Sequence, residues 1–95
     1  MNSQKARPKR SDLAVIAADE GGVVTITNPV TGRVFVLNDV GRRIIELCDG
    51  TATVSDIISR LRSEFHGVES TKVETDVSDF LNACADAQLV EIHSQ

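Results

Sequence analysis

At Asn38 the hydrophobic pattern of the chain changes its period, and this switch constrains the fold more than any other feature. Upstream, three short runs rich in β-branched residues, "LAVIAA" (13–18), "VVTIT" (23–27) and "RVFVL" (33–37), are separated by Asp19-Glu20-Gly21-Gly22 and by Asn28-Pro29-Val30-Thr31-Gly32. Short β-branched runs bounded by such turn residues read as strands of an antiparallel meander. Downstream, apolar residues recur at helical spacing: Val40, Ile44, Leu47 and Cys48; then Val54, Ile57, Ile58, Leu61 and Phe65; then Val73, Val77, Phe80, Leu81 and Cys84. Asn38 or Asp39 can cap the first helix, and Asp49-Gly50 ends it. Thr53 with Asp56 and Thr71 with Glu74 have the spacing of capping boxes for the second and third, the second ending near Gly67. Leu89 to Ile92 closes the chain as an extended tail. Strands followed by helices give an α+β fold: a three-stranded antiparallel sheet followed by three helices, winged-helix-like in its order.

The 95 residues allow one core. Residues 1–11, "MNSQKARPKRS", are basic, polar and without apolar periodicity, so they read as a disordered arm, with the domain spanning residues 12–95. The interior has three Phe and neither Trp nor Tyr, and must be built from Val, Ile, Leu and Ala. Such a core leaves no room for a large cofactor, and none is expected. Lys5, Arg7, Lys9 and Arg10 hold four of the ten basic residues, so residues 11–95 set six basic residues against all fourteen acidic ones, a balance of −8. That field repels phosphate backbones and argues against a nucleic-acid partner. No signal peptide or membrane-spanning run is apparent, so a reduced, cytoplasmic protein with no membrane partner is expected. Cys48 and Cys84 lie in apolar helix stripes, where cysteine packs as a small hydrophobe.

Catalysis has little to stand on. His66 and His93 share no metal-ligand spacing with each other or with the cysteines, and both read as surface residues. No nucleophile elbow, phosphate loop or paired acids appear, so the chain does not read as an enzyme. The alternative is a winged-helix-like DNA-binding or transcriptional adaptor domain, with the second and third helices as a helix-turn-helix. Against it, the would-be recognition helix carries Glu74, Asp76, Asp79 and Asp86 with only Lys72 opposing them.

The third strand is the informative anomaly. Val34 and Val36 point to one face and Phe35 and Leu37 to the other, so both faces call for cover. In a meander this strand lies at an edge, yet after Arg33 nothing guards it, where soluble proteins use Lys, Pro or an inward charge. Either the strand is central or covered by its own helices, or a partner peptide adds to it as a further strand.

At this point a resemblance enters. "NPVTGRVFVLNDVGRRIIELCDGTATVSDIISRLRSEF" followed by "VETDVSDFLNACADAQLVE" resembles the PqqD-like family, peptide chaperones whose domain is also called the RiPP precursor recognition element. The likeness runs through Thr31-Gly32-Arg33, Leu37-Asn38, Gly41, Ile44, Leu47-Cys48-Asp49-Gly50, Thr53-Val54 and Ile57. It continues through Leu61, Phe65, Asp76-Val77 and Phe80-Leu81 to Leu89-Val90. The strand region "TITNPVTGRVFVLN" lacks the proline-glutamate pair and Trp of members dedicated to pyrroloquinoline quinone, and is closer to the general pattern.

The resemblance implies a non-catalytic peptide chaperone that binds the leader segment of a ribosomally made precursor as an added strand. Its partners would be that precursor and a modifying enzyme such as a radical-SAM protein, in quinone-cofactor or other peptide natural-product biosynthesis. Carried over by position, Arg33, Val34, Phe35, Val36 and Leu37 would pair with the leader. Val73, Asp76, Val77 and Phe80 of the third helix would form the other wall.

Overall fold

The computed structural model describes residues 5–65 and 70–93. In chain order it has β1 (Arg7–Arg10), β2 (Val15–Ala18), β3 (Val24–Asn28) and β4 (Arg33–Leu37), then α1 (Asp39–Leu47), α2 (Val54–Glu64) and α3 (Ser70–Asp86), and last β5 (Val90–His93). The strands form two antiparallel sheets, a three-stranded β2-β3-β4 meander and a two-stranded β1-β5 pair.

The meander matches the expected order, and its register explains which residues enter the core. Ile16, Ile26 and Phe35 form one cross-strand row and Ala18, Val24 and Leu37 another. Ile26 and Leu37 are buried, so these rows face the helices. The opposite face is built of Val15, Thr27 and Val34, then Ala17, Thr25 and Val36. Here the expectation that both faces of the third strand are covered fails: Val34 is 53% and Val36 70% exposed. Among the described residues, a three-stranded sheet backed by three helices on one side has nothing left to cover the other.

The turn between β3 and β4 is fixed by Asn28, which is buried and hydrogen-bonded through both its amide oxygen and its amide nitrogen. Its Oδ1 accepts from the Val30 N–H at 2.9 Å, and its Nδ2 donates to the Gln88 carbonyl at 2.8 Å. One side chain thereby shapes the hairpin and ties it to the chain leaving α3. Gly32 completes the turn at φ +78°, a conformation that costs a side-chain-bearing residue far more than glycine.

The first two helix starts are those the sequence announces. Asn38 Oδ1 accepts from the Gly41 N–H at 2.7 Å, so the residue that immediately follows β4 caps α1. Thr53 and Asp56 form a complete capping box at the start of α2, with bonds of 3.1 and 3.0 Å. The third differs: α3 already includes Ser70, so Thr71 lies inside the helix rather than at its cap. The proposed helix end near Gly67 and the reading of His66 lie outside the described residues. His93 is the last residue of β5.

The arm expected over residues 1–11 is corrected within its described part, residues 5–11, while residues 1–4 lie outside the described residues. Arg7–Arg10 pair with Val90–His93, and the far side of β1 is bonded to the α1–α2 connection through Arg10 N–H to Cys48 C=O and Gly50 N–H to Pro8 C=O. Ala6 and Pro8, two apolar residues at strand spacing, are both buried. The partner strand lies some eighty residues away, so no local pattern could announce it.

The core is a single cluster joining the inner sheet rows to all three helices. Cys48 and Cys84 are both buried in it as free thiols, and burial pushes each thiol pKa up to about 12. On the surface, Arg43 makes a two-pronged bond to Glu64 (2.8 and 3.0 Å), and Arg62 reaches Glu74 at 2.9 Å. These pairs join α1 to α2 and α2 to α3. Exposed pairs of this kind contribute about 0–1 kcal/mol each, so they align the helices more than they hold them.

Candidate functional site

Strand order places β4 at one end of the meander, with β3 on one side and no strand on the other among the described residues. Its outward backbone groups are therefore available to a further strand, and no Lys, Pro or inward-pointing charge within "VFVL" guards them. The strand is short, five residues, which suits recognition of a brief extended segment.

Beyond Leu37 the edge runs directly into a groove. Asn38 forms its rim, and a cavity of about 480 Å³ opens between α1 and α3 with α2 beneath. The lining is mainly apolar: Val40, Gly41 and Ile44 from α1, Leu61 and Phe65 at the base, and Val73, Val77 and Phe80 from α3. Lys72, Asp76 and Asp79 supply its charged rim. Half-enclosed apolar clefts with a few polar groups at the margin are the usual form of a binding site.

Gly41 sets the depth of this groove. A Cβ there would stand 3.3 Å from Asn38 Oδ1 and 3.4 Å from Phe80 Cε1, so the bare backbone of α1 lets the Phe80 ring lie close. Gly41 sits in the first helical turn, where a glycine is otherwise unfavourable. Its place is explained by the approach of α3.

All four site residues drawn from the third helix, Val73, Asp76, Val77 and Phe80, line the groove together. Arg33, Val34, Phe35, Val36 and Leu37 make up β4 and approach it only through the strand's end at Asn38. Their side chains divide: Leu37 is buried and Phe35 half-buried, while Val34 and Val36 stand in solvent on the outer face. Sequence reasoning missed Val40, Gly41 and Ile44 on α1 and Leu61 and Phe65 from the α2 region. Their periodicity was visible, but the same stripe reads as core. Among the described residues no three His, Cys, Asp or Glu side chains are placed to hold a metal, and no helix is long and apolar enough to cross a membrane.

Fold and groove define a class of protein: a small α+β domain whose antiparallel meander offers a free edge beside a cleft between helices. Comparison with known proteins gives that class a family. The model of the PqqD family, coenzyme PQQ synthesis protein D, matches residues 24–90, from the start of β3 to the start of β5. The chain belongs to the PqqD family. Among solved structures it is similar to TbiB1 in complex with the TbiA(beta) leader peptide, at 34% identity and a TM-score of 0.72, covering 87% of this chain and 94% of that one. It shares its fold with lasso peptide synthetase B1 complexed with the leader peptide, at 19% identity and a TM-score of 0.73, covering 90% and 98% of the two chains. None of the curated proteins matches the chain.

Proposed function

We propose that this protein is a precursor-recognition element. It binds the leader segment of a ribosomally made peptide by strand addition to β4 and presents that precursor to a separate modifying enzyme, with no chemistry of its own. The observation that carries the reading is the continuity of the open β4 edge with the apolar groove between α1 and α3. Main-chain bonds along Arg33–Leu37 supply affinity for any extended peptide, and the groove supplies selectivity by accepting an apolar side chain from it. The relative bound to a leader peptide at 34% identity supports the same assignment.

The competing reading, a nucleic-acid binder, gains nothing from the geometry. Asp76 and Asp79 stand on the rim of the groove, where they repel phosphates.

The test is a titration of isotopically labelled protein with synthetic leader segments of precursor peptides encoded beside its gene, followed by backbone amide NMR. Saturable shifts at residues 33–38 together with residues 72–80, at micromolar affinity or tighter (about −8 kcal/mol), are expected. Shifts that bypass β4 would remove the strand-addition mechanism, and shifts produced only by duplex DNA would replace it with nucleic-acid binding.

A further inference from the structure

The two ends of the docking edge carry opposite charge. Arg33 opens β4, on the same side of the strand as Phe35 and Leu37, and is exposed. At the other end, past Asn38, the groove rim carries Asp76 and Asp79 against the single Lys72. Among the described residues Arg33, Asp76 and Asp79 have no ion-pair partner, whereas Arg43, Arg60 and Arg62 are all paired. Arg33, Asp76 and Asp79, like Lys72 on the same rim, are thus available to charges on a ligand, and the rim keeps an acidic balance of two carboxylates against one lysine.

Resting on the strand-addition reading, we infer that the site selects its peptide by charge order: a basic residue towards the N-terminus of the added strand and an acidic residue towards its C-terminus. The order follows from strand direction. A strand added antiparallel, the arrangement already used throughout the meander, runs opposite to β4. Its N-terminal part then lies beside Leu37 and the groove, facing Asp76 and Asp79, and its C-terminal part beside Arg33.

Spacing follows as well. Arg33 and Asn38 are five residues apart, roughly 17 Å of extended chain, so the basic residue stands about five to seven positions before the acidic one. An apolar residue between them, or adjoining the basic one, fills the groove. A peptide of reversed charge order meets like charge at both ends, which disfavours its binding and its register together. The modified part of a precursor follows its leader, so it leaves the domain past Arg33, at the β3–β4 hairpin.

The experiment uses a displayed library of random peptides about sixteen residues long, selected on the full chain and on the charge-exchanged variant Arg33→Glu, Asp76→Lys, Asp79→Lys. All three positions are exposed, and circular dichroism checks that the variant is folded. Enriched peptides are then synthesised, also with their two charges exchanged, and mapped onto β4 by amide shifts. We expect base-before-acid peptides from the wild type and acid-before-base peptides from the variant. On the wild type the matched order should bind about tenfold more tightly than the exchanged one. A second readout needs no variant: in about 0.5 M salt that preference should shrink towards unity. Enriched peptides that shift the β4 amides without any charge order overturn this inference and leave strand addition standing. Enriched peptides that leave the β4 amides unmoved, or no enrichment at all, overturn both.

Discussion

Replacing Phe80 with alanine separates the groove from the rest of the fold more cleanly than any other single change. The ring is half-buried on α3, close enough to Gly41 that a Cβ there would touch its edge at 3.4 Å, and it forms part of the groove wall. Full truncation of a buried phenylalanine costs about 3–5 kcal/mol, and half-burial reduces that to about 2. Alanine's better helix propensity returns about 0.5 kcal/mol, leaving a net loss near 1.5 kcal/mol. For a domain of this size that lowers the melting temperature by about 6–12 °C, which still leaves a folded protein. Peptide affinity should fall further in relative terms, because the apolar anchor of the ligand loses the wall it packs on: about 1–2 kcal/mol, or roughly five- to thirtyfold. Calorimetric titration with a bound leader segment and urea denaturation give the two numbers independently. Phe80→Leu, which keeps most of the apolar volume, should cost under about 1 kcal/mol in stability and leave affinity within about threefold. A folded Phe80→Ala protein with wild-type affinity would refute the placement of the ligand in this groove.

Asn28→Ala should be costly despite lying in a turn: it leaves the Val30 N–H and the Gln88 carbonyl without the partners they have at 2.9 and 2.8 Å. About 2–3 kcal/mol of stability should disappear in urea denaturation, and a loss below about 0.5 would show that water replaces both bonds freely. Stability should also fall in acid. Bonds from Thr51, from the Thr53 backbone and from Arg43 hold the carboxyls of Asp49, Asp56 and Glu64 below their ordinary range. Groups depressed in the folded state stabilise it above the unfolded carboxylate pKa of about 4 and lose that contribution as pH falls through the folded values, so the urea midpoint should decline between about pH 5 and pH 2. Asp56→Asn should flatten part of that decline. The thiols behave in the opposite sense. Burial raises Cys48 and Cys84 to about 12, so their contribution is complete below the unfolded thiol value of about 8.5 and is lost as pH rises towards 12. A thiol reagent at about pH 8 should modify neither cysteine until urea unfolds the chain, and rapid labelling of the native protein would contradict the packing described.

The meander and the first two helix starts were legible because local chemistry specifies them. Asn28 to Gly32 encodes a turn, Asn38 caps α1, and Thr53 with Asp56 builds a box whose bonds are all within four residues. Strand β1 was not legible, since Pro8 and the preceding Ala6, the buried residues there, are too few to form a pattern and its partner is at the other end of the chain. Cover for β4 was misjudged for a related reason. The sequence "VFVL" does not say that the helices reach one face only; that depends on how a three-stranded sheet is backed, which is a tertiary fact. The edge position itself was inferred correctly from the meander order, in which the last strand lies outside.

The groove raises a sharper difficulty, because α3 serves core and groove with a single stripe. Val73 and Val77 are buried in the core cluster and also line the groove, so the same methyl groups support the fold and the floor of the site. Their substitution would weaken binding and stability together and could not tell one role from the other. One turn along the same helix the roles divide: Asp76 and Asp79 are exposed on the rim, and Phe80 is only half-buried. Selectivity can therefore change at residues 76 and 79 with little cost to folding, and at residue 80 where apolar volume is kept, while Val73, Val77 and Leu81 hold the helix in place. On this division, related chains that recognise different peptides are expected to keep the apolar stripe and differ at the rim. Exchange of the rim residues alone, within an otherwise intact domain, should then transfer peptide preference without transferring stability.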